Sequence, residues 1–204
     1  TMFPVNARWN IGDCVVRMMQ RGLDRSDWRR GWLGFSPRGA HRMGMPLRQQ
    51  NSWTYEDVLA LIDEQEDRSV RYEFADGELL VTPAPGGYHQ RIILALYDIL
   101  KPYVDAHRLG EIRLGPSPVH LVEKTVFQPD LHIVPSVGGR RPRADVPVTR
   151  SLLIIEALSA GSERHDRVTK RGHYQRAGVP EYWIVDQGAE VFERAAEGGR
   201  GGGA

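Results

Sequence analysis

A run of apolar residues with one carboxylate inside it, "LLIIEALS" at residues 152–159, constrains the fold more than any other stretch of the chain. Short apolar runs that contain β-branched residues predict a strand buried within a sheet. Glu156 lies in the middle of this run, and an ionised carboxylate is costly in apolar surroundings unless a cation, a metal ion or several hydrogen-bond donors neutralise it. Either the strand ends near Glu156 and its side chain reaches water, or a positive partner meets it.

The composition is that of a globular protein. The chain has 204 residues, of which 41% are hydrophobic and 26% are charged, so we expect one domain of ordinary size with a tail. No apolar run approaches the roughly 20 residues of a membrane span, and the start lacks the basic-then-apolar order of a signal peptide. The single cysteine, Cys14, excludes an internal disulfide and a cysteine-rich zinc site. These features predict a cytoplasmic protein with no membrane partner.

The net charge of +1 is unevenly distributed along the chain. Residues 1–50 contain nine arginines and three aspartates, a net charge of +6, which leaves −5 for all other residues. Residues 1–44 show no helical or strand period, so we expect a basic extension that is disordered or precedes the native start; the alternative is an arm that binds phosphates. We expect the folded domain at residues 45–194 and a flexible glycine-rich tail at residues 195–204.

The patterns within the predicted domain indicate an α/β fold, with a mixed sheet and helices on its faces. Asp76-Gly77 between two apolar runs predicts a β-hairpin, and the apolar spacing in "GYHQRIILALYDILKPYV" predicts an amphipathic helix. The strand "LLIIEALS", a helix at "DRVTKRGHYQRA" and the strand "EYWIVD" form a crossover, which favours parallel pairing of the two strands. We expect the earlier strands to form an antiparallel meander.

Two acidic residues lie within apolar strand patterns, Asp130 in "FQPDLHIV" and Glu156 in "LLIIEALS". If these strands are neighbours, the two carboxylates converge, and they repel each other unless one keeps a proton or a divalent cation bridges them. Magnesium prefers oxygen ligands and binds through one or two carboxylates while retaining several waters. The sequence therefore predicts a Mg²⁺ site at Asp130 and Glu156.

A third candidate is Lys170, one of only three lysines in a chain that otherwise uses arginine. On the predicted helix, Asp166, Lys170 and Tyr174 recur at four-residue spacing and share one face. A lysine is a compact point charge that can lose its proton when buried, which an arginine cannot do. The alternative is an exposed Asp–Lys pair on a solvated helix face.

From Trp53 to Asp186 the chain resembles the Uma-two family of nucleases, within the restriction-endonuclease-like PD-(D/E)XK superfamily. The matching stretches are "RYEFADGELLVTPAP", "HQRI", "QPDLHIV" and "IIEALSAGSERHDRVTKRGHYQRAGVPEYWIVD". The resemblance implies a restriction-endonuclease-like mixed β-sheet core flanked by helices, in which Asp130 and Glu156 bind catalytic Mg²⁺, with Mn²⁺ as the alternative ion. The superfamily motif places a lysine two residues after the glutamate, where this chain has Leu158; the family resemblance places the lysine at Lys170 instead.

The resemblance also draws attention to three further residues. Glu73 and Glu78 stand at family positions in the hairpin, where Glu73 is expected to supply a further metal ligand, and both could equally be solvent-facing charges. His89 opens the long helix, and we expect it to contact a substrate phosphate, with a hydrogen bond to a loop as the alternative.

Five other residues have simpler interpretations. His132 and Gln128 share a strand face with Asp130 and therefore either line the site or belong to the core. Tyr174, Tyr182 and Trp183 are expected to be packing residues.

Together these features predict a metal-dependent endonuclease that hydrolyses phosphodiester bonds in nucleic acid, with DNA as the expected polymer. Lys170 would position or deprotonate the attacking water, or offset charge on the phosphate. The alternative is a degenerate nuclease-fold module that binds without cutting, favoured by the missing strand lysine, the acidic body and the short C-terminus. A hydrolase that uses Ser159 or Ser162 lacks the supporting GxSxG motif. A homodimer stays open, because many nucleases of this fold pair to cut two strands.

Overall fold

The structure, a computed structural model, describes residues 47–49, 53–66, 70–144, 146–159, 162–186 and 191–196. The predictions for residues 1–44 lie outside the described residues. In chain order, the elements are β1 (Leu47–Gln49), α1 (Tyr55–Asp63), β2 (Val70–Ala75), β3 (Glu78–Pro83), α2 (Gly87–Ala106), β4 (Gly110–Leu114), β5 (Leu131–Pro135), β6 (Leu153–Ala157), a π-helical segment (His165–Lys170) that continues into α3 (Arg171–Arg176), β7 (Glu181–Asp186) and β8 (Val191–Ala196).

A five-stranded mixed sheet forms the centre of the described fold, in the order β4-β5-β6-β7-β8. The predicted crossover is confirmed, since β6 pairs with β7 in parallel, and Glu156 lies opposite Ile184. The other three pairings are antiparallel. Every residue of β6 is buried, as the continuous apolar run predicts. β8 extends to Ala196, two residues beyond the predicted domain boundary at 194.

The predicted hairpin is also present, but it belongs to a separate three-stranded sheet in the order β1-β3-β2. Asp76 and Gly77 have φ angles of 54° and 80°, the left-handed pair that a tight two-residue hairpin turn requires. Helix α1 begins with a capping box between Thr54 and Asp57 and packs its buried Val58 against this sheet.

One backbone bridge connects the small sheet with the segment that leads into β5. The N–H of Phe74 donates to the carbonyl of Val126 at 2.8 Å, and the N–H of Val126 donates back at 2.9 Å. This exchange holds β2 beside residues 126–130, so that side chains from β2 lie near the start of β5. The bridge therefore brings Glu73 towards Asp130.

The helix after β6 begins as a π-helix, a form that occurs frequently at functional sites. Gly178 ends α3 with a φ of 68°, and the N–H of Val179 donates to the carbonyl of Tyr174 at 3.0 Å. The rings of Phe127, Tyr174 and Tyr182 meet edge to face beneath the helix, with centroids 5.0–5.4 Å apart. This aromatic contact fixes the helix on the sheet.

Helix α2 has 20 residues, more than any other element of the described ranges, and it packs against β4 and β6. Ile92, Leu96 and Leu100 form its buried face, as their spacing predicts. Pro102 lies inside the helix and does not end it. No helix in the described parts of the chain is both long enough and apolar enough to cross a membrane.

Candidate active site

The Lys170 ammonium group lies among three buried carboxylates. Its Nζ is 3.0 Å from Oε1 of Glu73, 3.0 Å from Oε1 of Glu156 and 3.2 Å from Oδ1 of Asp166. Burial alone would lower the pKa of Lys170, but the three carboxylates outweigh it and raise that pKa well above its ordinary value. Lys170 is therefore a charged ammonium, and the alternative of an exposed Asp166–Lys170 pair is wrong, because both side chains are less than 10% exposed.

Glu73 is the most firmly ionised member of this group. The backbone N–H of Gln128 donates to its Oε1 at 2.8 Å, and the His165 ring lies 3.4 Å from its Oε2. Burial alone would raise the pKa of Glu73, but Lys170, His165 and the Gln128 amide outweigh it and lower the pKa to about 2. Its neighbour in the hairpin, Glu78, is exposed at the start of β3.

Glu156 does not reach water, since its exposed fraction is 2%. Its Oε1 accepts hydrogen bonds from Lys170 at 3.0 Å and from the Tyr174 hydroxyl at 3.2 Å. Burial raises the pKa of Glu156 well above its ordinary value, and the negative charges of Asp130 and Asp166 add to the rise against the opposing effect of Lys170. Glu156 therefore takes up a proton more readily than an exposed glutamate does. The Lys170 ammonium group and the Tyr174 hydroxyl are the partners that meet this carboxyl group in the apolar strand.

Asp130 lies directly before β5 and is held by three donors. Arg71 donates to its Oδ1 at 2.5 Å, while His89 and the backbone N–H of Ala157 contact its Oδ2 at 2.8 and 2.9 Å. Burial would raise the pKa of Asp130, but His89, Arg71 and the Ala157 amide outweigh it and hold that pKa well below its ordinary value. Asp130 is therefore ionised.

A close backbone approach fixes the position of Asp130. The N–H of Gly115 donates to the Asp130 carbonyl at 2.9 Å. A Cβ atom on Gly115 would lie 2.8 Å from the carbonyl oxygen of Pro129, so only glycine permits this contact without a shift of the loop.

The five residues predicted as catalytic, metal-binding or substrate-binding line a single cavity, at the end of the sheet where β6 ends and β5 begins. They are Glu73, His89, Asp130, Glu156 and Lys170. Their roles stay predictions, but the structure brings together side chains that come from β2, α2, the start of β5, β6 and the π-helical segment.

Among the other residues that line this cavity, three have acidic or basic side chains that the sequence did not single out for it: Arg71, His165 and Asp166. Asp166 carried a signal, since it precedes Lys170 by four residues, but Arg71 carried none in a chain so rich in arginine. Tyr174 was expected only to pack, yet its hydroxyl donates to Glu156.

His132 and Gln128 belong to the core and not to the cavity lining. His132 is fully buried, and its Nε2 lies 2.9 Å from the Ser117 hydroxyl. Gln128 contributes to the site through its backbone amide, which fixes Glu73.

The donor set suits a hard divalent cation in charge and in ligand type. Four buried carboxyl groups lie beside two cations, so two negative charges are unbalanced when all four are ionised. The acidic groups are Glu73, Asp130, Glu156 and Asp166, and the cations are Arg71 and Lys170. Among the described residues, no three acidic or histidine side chains already form a metal cage. Donor groups instead lie between these oxygen atoms. Lys170 contacts both Glu73 and Glu156, and the His89 Nε2 contacts both Asp130 and the Ala157 carbonyl. The residues that could hold an ion are Asp130 and Glu156, with Glu73 beside them.

The sequence model of a family described as "Putative restriction endonuclease", Uma2, matches residues 55–200. The chain belongs to the Uma-two family. The predicted family and the restriction-endonuclease-like α/β fold are thereby confirmed.

The fold of this Uma-two protein is similar to a crystal structure from Anabaena variabilis, a "putative nuclease belonging to DUF820", with a TM-score of 0.58 and 15% sequence identity. The similarity covers 71% of this chain and 80% of that one. At this identity the similarity concerns the fold. No curated protein is similar enough in sequence to be matched with the chain.

Removal of the Lys170 charge is expected to destabilise the protein strongly. Lys170→Met leaves three buried carboxylates without their cation, and loss of one partner of a buried ion pair costs about 3–5 kcal/mol. Lys101→Met is the matched control, because Lys101 pairs with Asp105 at the surface, where such pairs contribute about 0–1 kcal/mol. Urea unfolding at neutral pH measures both changes. Equal, small losses for the two variants would contradict the buried cluster.

Proposed function

We propose that this protein is a Mg²⁺-dependent endonuclease that hydrolyses phosphodiester bonds in DNA. The observation that carries the proposal is the convergence of Asp130, Glu156 and Lys170 on one cavity, in a chain whose family is described as restriction endonucleases. The acidic and basic groups come from separate elements, and their burial costs free energy that folding alone does not require. Arrangements of this kind are typical of active sites.

Asp130 and Glu156 would hold the Mg²⁺ ion, or Mn²⁺ in its place, with Glu73 as a third carboxylate. Bound there, the ion supplies Lewis acidity to a phosphate oxygen and lowers the pKa of a water molecule. Asp130 is already ionised, and Glu156, whose pKa is raised, would have to be ionised to serve as a ligand.

Lys170 acts in this proposal as a fixed positive charge and a hydrogen-bond donor. The raised pKa of Lys170 keeps its amine protonated and unable to accept a proton, so of the roles left open by the sequence, deprotonation of water is the least favoured. Its ammonium group instead orients the attacking water and offsets the negative charge that develops on the phosphate. Glu73 and Asp166 hold this group in position.

Arg71 and His89 lie on the other side of Asp130, where they would contact the substrate phosphate. A guanidinium group offers several donors, so Arg71 can keep its bond to Asp130 and still donate to a phosphate oxygen. The His89 Nε2 is engaged by Asp130 and Ala157, while its Nδ1 has no hydrogen-bond partner within the described residues. His89 therefore orients Asp130 in this structure, and its contact with a phosphate stays a prediction from the sequence.

The second candidate is a nuclease-fold module that binds without cutting. The observation in its favour is that the Lys170 ammonium group lies between the carboxylates of Glu73 and Glu156. In the part of the chain that the structure describes, no three ligand side chains are arranged around a metal-binding position. A module of this kind would not require Mg²⁺. DNA as the polymer, a homodimer and a cytoplasmic location stay predictions from the sequence.

Loss of either proposed metal ligand is expected to abolish cleavage. Asp130→Asn and Glu156→Gln keep the shape of the side chains but remove the negative charge, and we expect plasmid cleavage in Mg²⁺ to fall at least about 100-fold. Asp105→Asn, the same chemical change on the exposed part of α2, is the control and should cut like the unaltered protein. Unchanged cleavage in Glu156→Gln would rule out the proposed mechanism.

Mg²⁺ binding is expected to strengthen as the pH rises, because the ion must displace the proton of Glu156. The folded-state pKa of Glu156 lies above its ordinary 4.5, so between 4.5 and that raised value the affinity should increase by up to about tenfold per pH unit. Calorimetry in two buffers of different ionisation enthalpy measures both the affinity and the proton released. Glu156→Gln should bind Mg²⁺ more weakly and lose this proton release. A pH-independent affinity, or no binding at all, would favour the second candidate.

A further inference from the structure

A second groove opens beside the catalytic cavity and shares four residues with it. The shared residues are Arg71, Pro85, His89 and Asp130. The other walls of the groove are mainly apolar and come from the start of β2, the first half of α2 and the end of β4; they include Val70, Ile93, Leu94, Leu114 and Pro116. The groove is therefore continuous with the candidate active site and different from it in chemistry.

The two cavities differ in volume and therefore suit groups of different size. The catalytic cavity has a volume of about 50 Å³, which has room for an ion with one or two waters. The groove has a volume of about 340 Å³, within the range of roughly 300–1,000 Å³ that small-ligand pockets show. A nucleotide whose phosphate lies in the catalytic cavity must therefore place its sugar and base outside that cavity, and the groove adjoins it.

Leu94 is an exposed apolar side chain at this groove. Its exposed fraction is 51%, while the adjacent Ile93 is only 6% exposed and belongs to the core. Of the large hydrophobic side chains that are exposed in the described residues, Leu94 is the one that lines this groove. Apolar surface beside a polar site is typical of a ligand-binding surface, because a ligand removes it from water.

The polar groups of the groove stand where a nucleotide would need them. Arg71 and His89 lie at its junction with the catalytic cavity, next to the expected position of the phosphate. The exposed Gln90 lies on the groove wall, and its amide offers both donors and an acceptor to the edge of a base. A cationic end, an apolar wall and an amide match the phosphate, the ring face and the ring edge of one nucleotide.

We propose that this groove is a nucleoside subsite, which holds the base and sugar of the nucleotide next to the cleaved phosphate. The inference rests on the proposed function and adds a substrate class to it. A base inside the groove is not stacked in a duplex, so the substrate is single-stranded DNA or a locally unpaired strand. The apolar wall does not distinguish one base from another. Any base preference would come from hydrogen bonds between the Gln90 amide and the edge of the base.

The test compares two ligands that have the same charge and differ only in their bases: a five-nucleotide oligothymidylate and an abasic oligomer of equal length. Binding is measured by fluorescence anisotropy with Ca²⁺ in place of Mg²⁺, and a denaturing gel checks that the ligands stay intact. The proteins are the unaltered chain, Leu94→Ser and the control Val168→Ser, whose side chain is 63% exposed and lies outside the groove.

The unaltered protein and Val168→Ser should bind the oligothymidylate about tenfold more tightly than the abasic oligomer, the typical contribution of one held base. Leu94→Ser should lose most of this preference and bind the abasic oligomer as before. Equal binding of both ligands by the unaltered protein, or an equal loss for both in Leu94→Ser, overturns the subsite. Cleavage of single-stranded circular DNA by the same proteins in Mg²⁺ separates the two proposals, because cleavage without base preference in binding rejects the subsite and keeps the nuclease. Absence of both binding and cleavage rejects the two together.

Discussion

The buried ammonium group of Lys170 is the interaction on which the rest of this structure depends. It joins Glu73, Glu156 and Asp166, and so connects the small sheet, the central sheet and the π-helical segment at one point. Each of these carboxylates would be costly to bury alone, since effective penalties are several kcal/mol per ion. With Lys170 in place, one charge serves all three. The Tyr174 hydroxyl and the Gln128 amide donate to the same Oε1 atoms of Glu156 and Glu73 that Lys170 contacts.

The acidic groups around Lys170 and Asp130 outnumber the cations beside them, and this excess of negative charge connects the structure with the proposed function. Glu73 and Asp130 have lowered pKa values, whereas those of Glu156 and Asp166 are raised by burial and by their acidic neighbours. The structure thus separates, within one cavity, carboxylates that ionise readily from carboxylates that take up a proton more readily. A site in this condition accepts a divalent cation in exchange for protons, which is the chemistry that the proposed nuclease uses. The strand has no lysine two residues after Glu156, and the Lys170 amine reaches Glu156 from the following helix.

Local patterns predicted the parts of the fold that local interactions decide. Asp76-Gly77 specified the hairpin turn, and the apolar runs around Glu156 and Trp183 specified two buried strands joined by a crossover. The division into two sheets was not predictable, because it depends on the bridge between Phe74 and Val126, which are distant in sequence. The π-helical start of the last helix has no sequence signature of its own. Its i to i+4 spacing nevertheless placed Asp166 and Lys170 together.

In the candidate site, too, some residues could be predicted from the sequence and others depended on contacts between distant parts of the chain. Asp130 and Glu156 were noticed as acidic residues in apolar strands, whereas Lys170, a rare lysine on the same helix face as Asp166, was assigned to the site by the family resemblance. Arg71 was missed, because a guanidinium group on a strand next to a hairpin is unremarkable until the fold places it 2.5 Å from Asp130. His89 was predicted as a phosphate ligand, and the fold additionally makes it a partner of Asp130 and the Ala157 carbonyl.

The most direct test of this account is the titration of the Lys170 amine by nitrogen-15 NMR. The chain has three lysines, so the spectrum of selectively labelled protein is simple, and the Lys170 signal is identified by its loss in Lys170→Arg. An ammonium group enclosed by three carboxylates stays protonated well above pH 10.5, the ordinary pKa of lysine, as long as circular dichroism shows the fold intact. A Lys170 amine that loses its proton at or below pH 10.5 would contradict the charged cluster, and with it the proposed arrangement of the site.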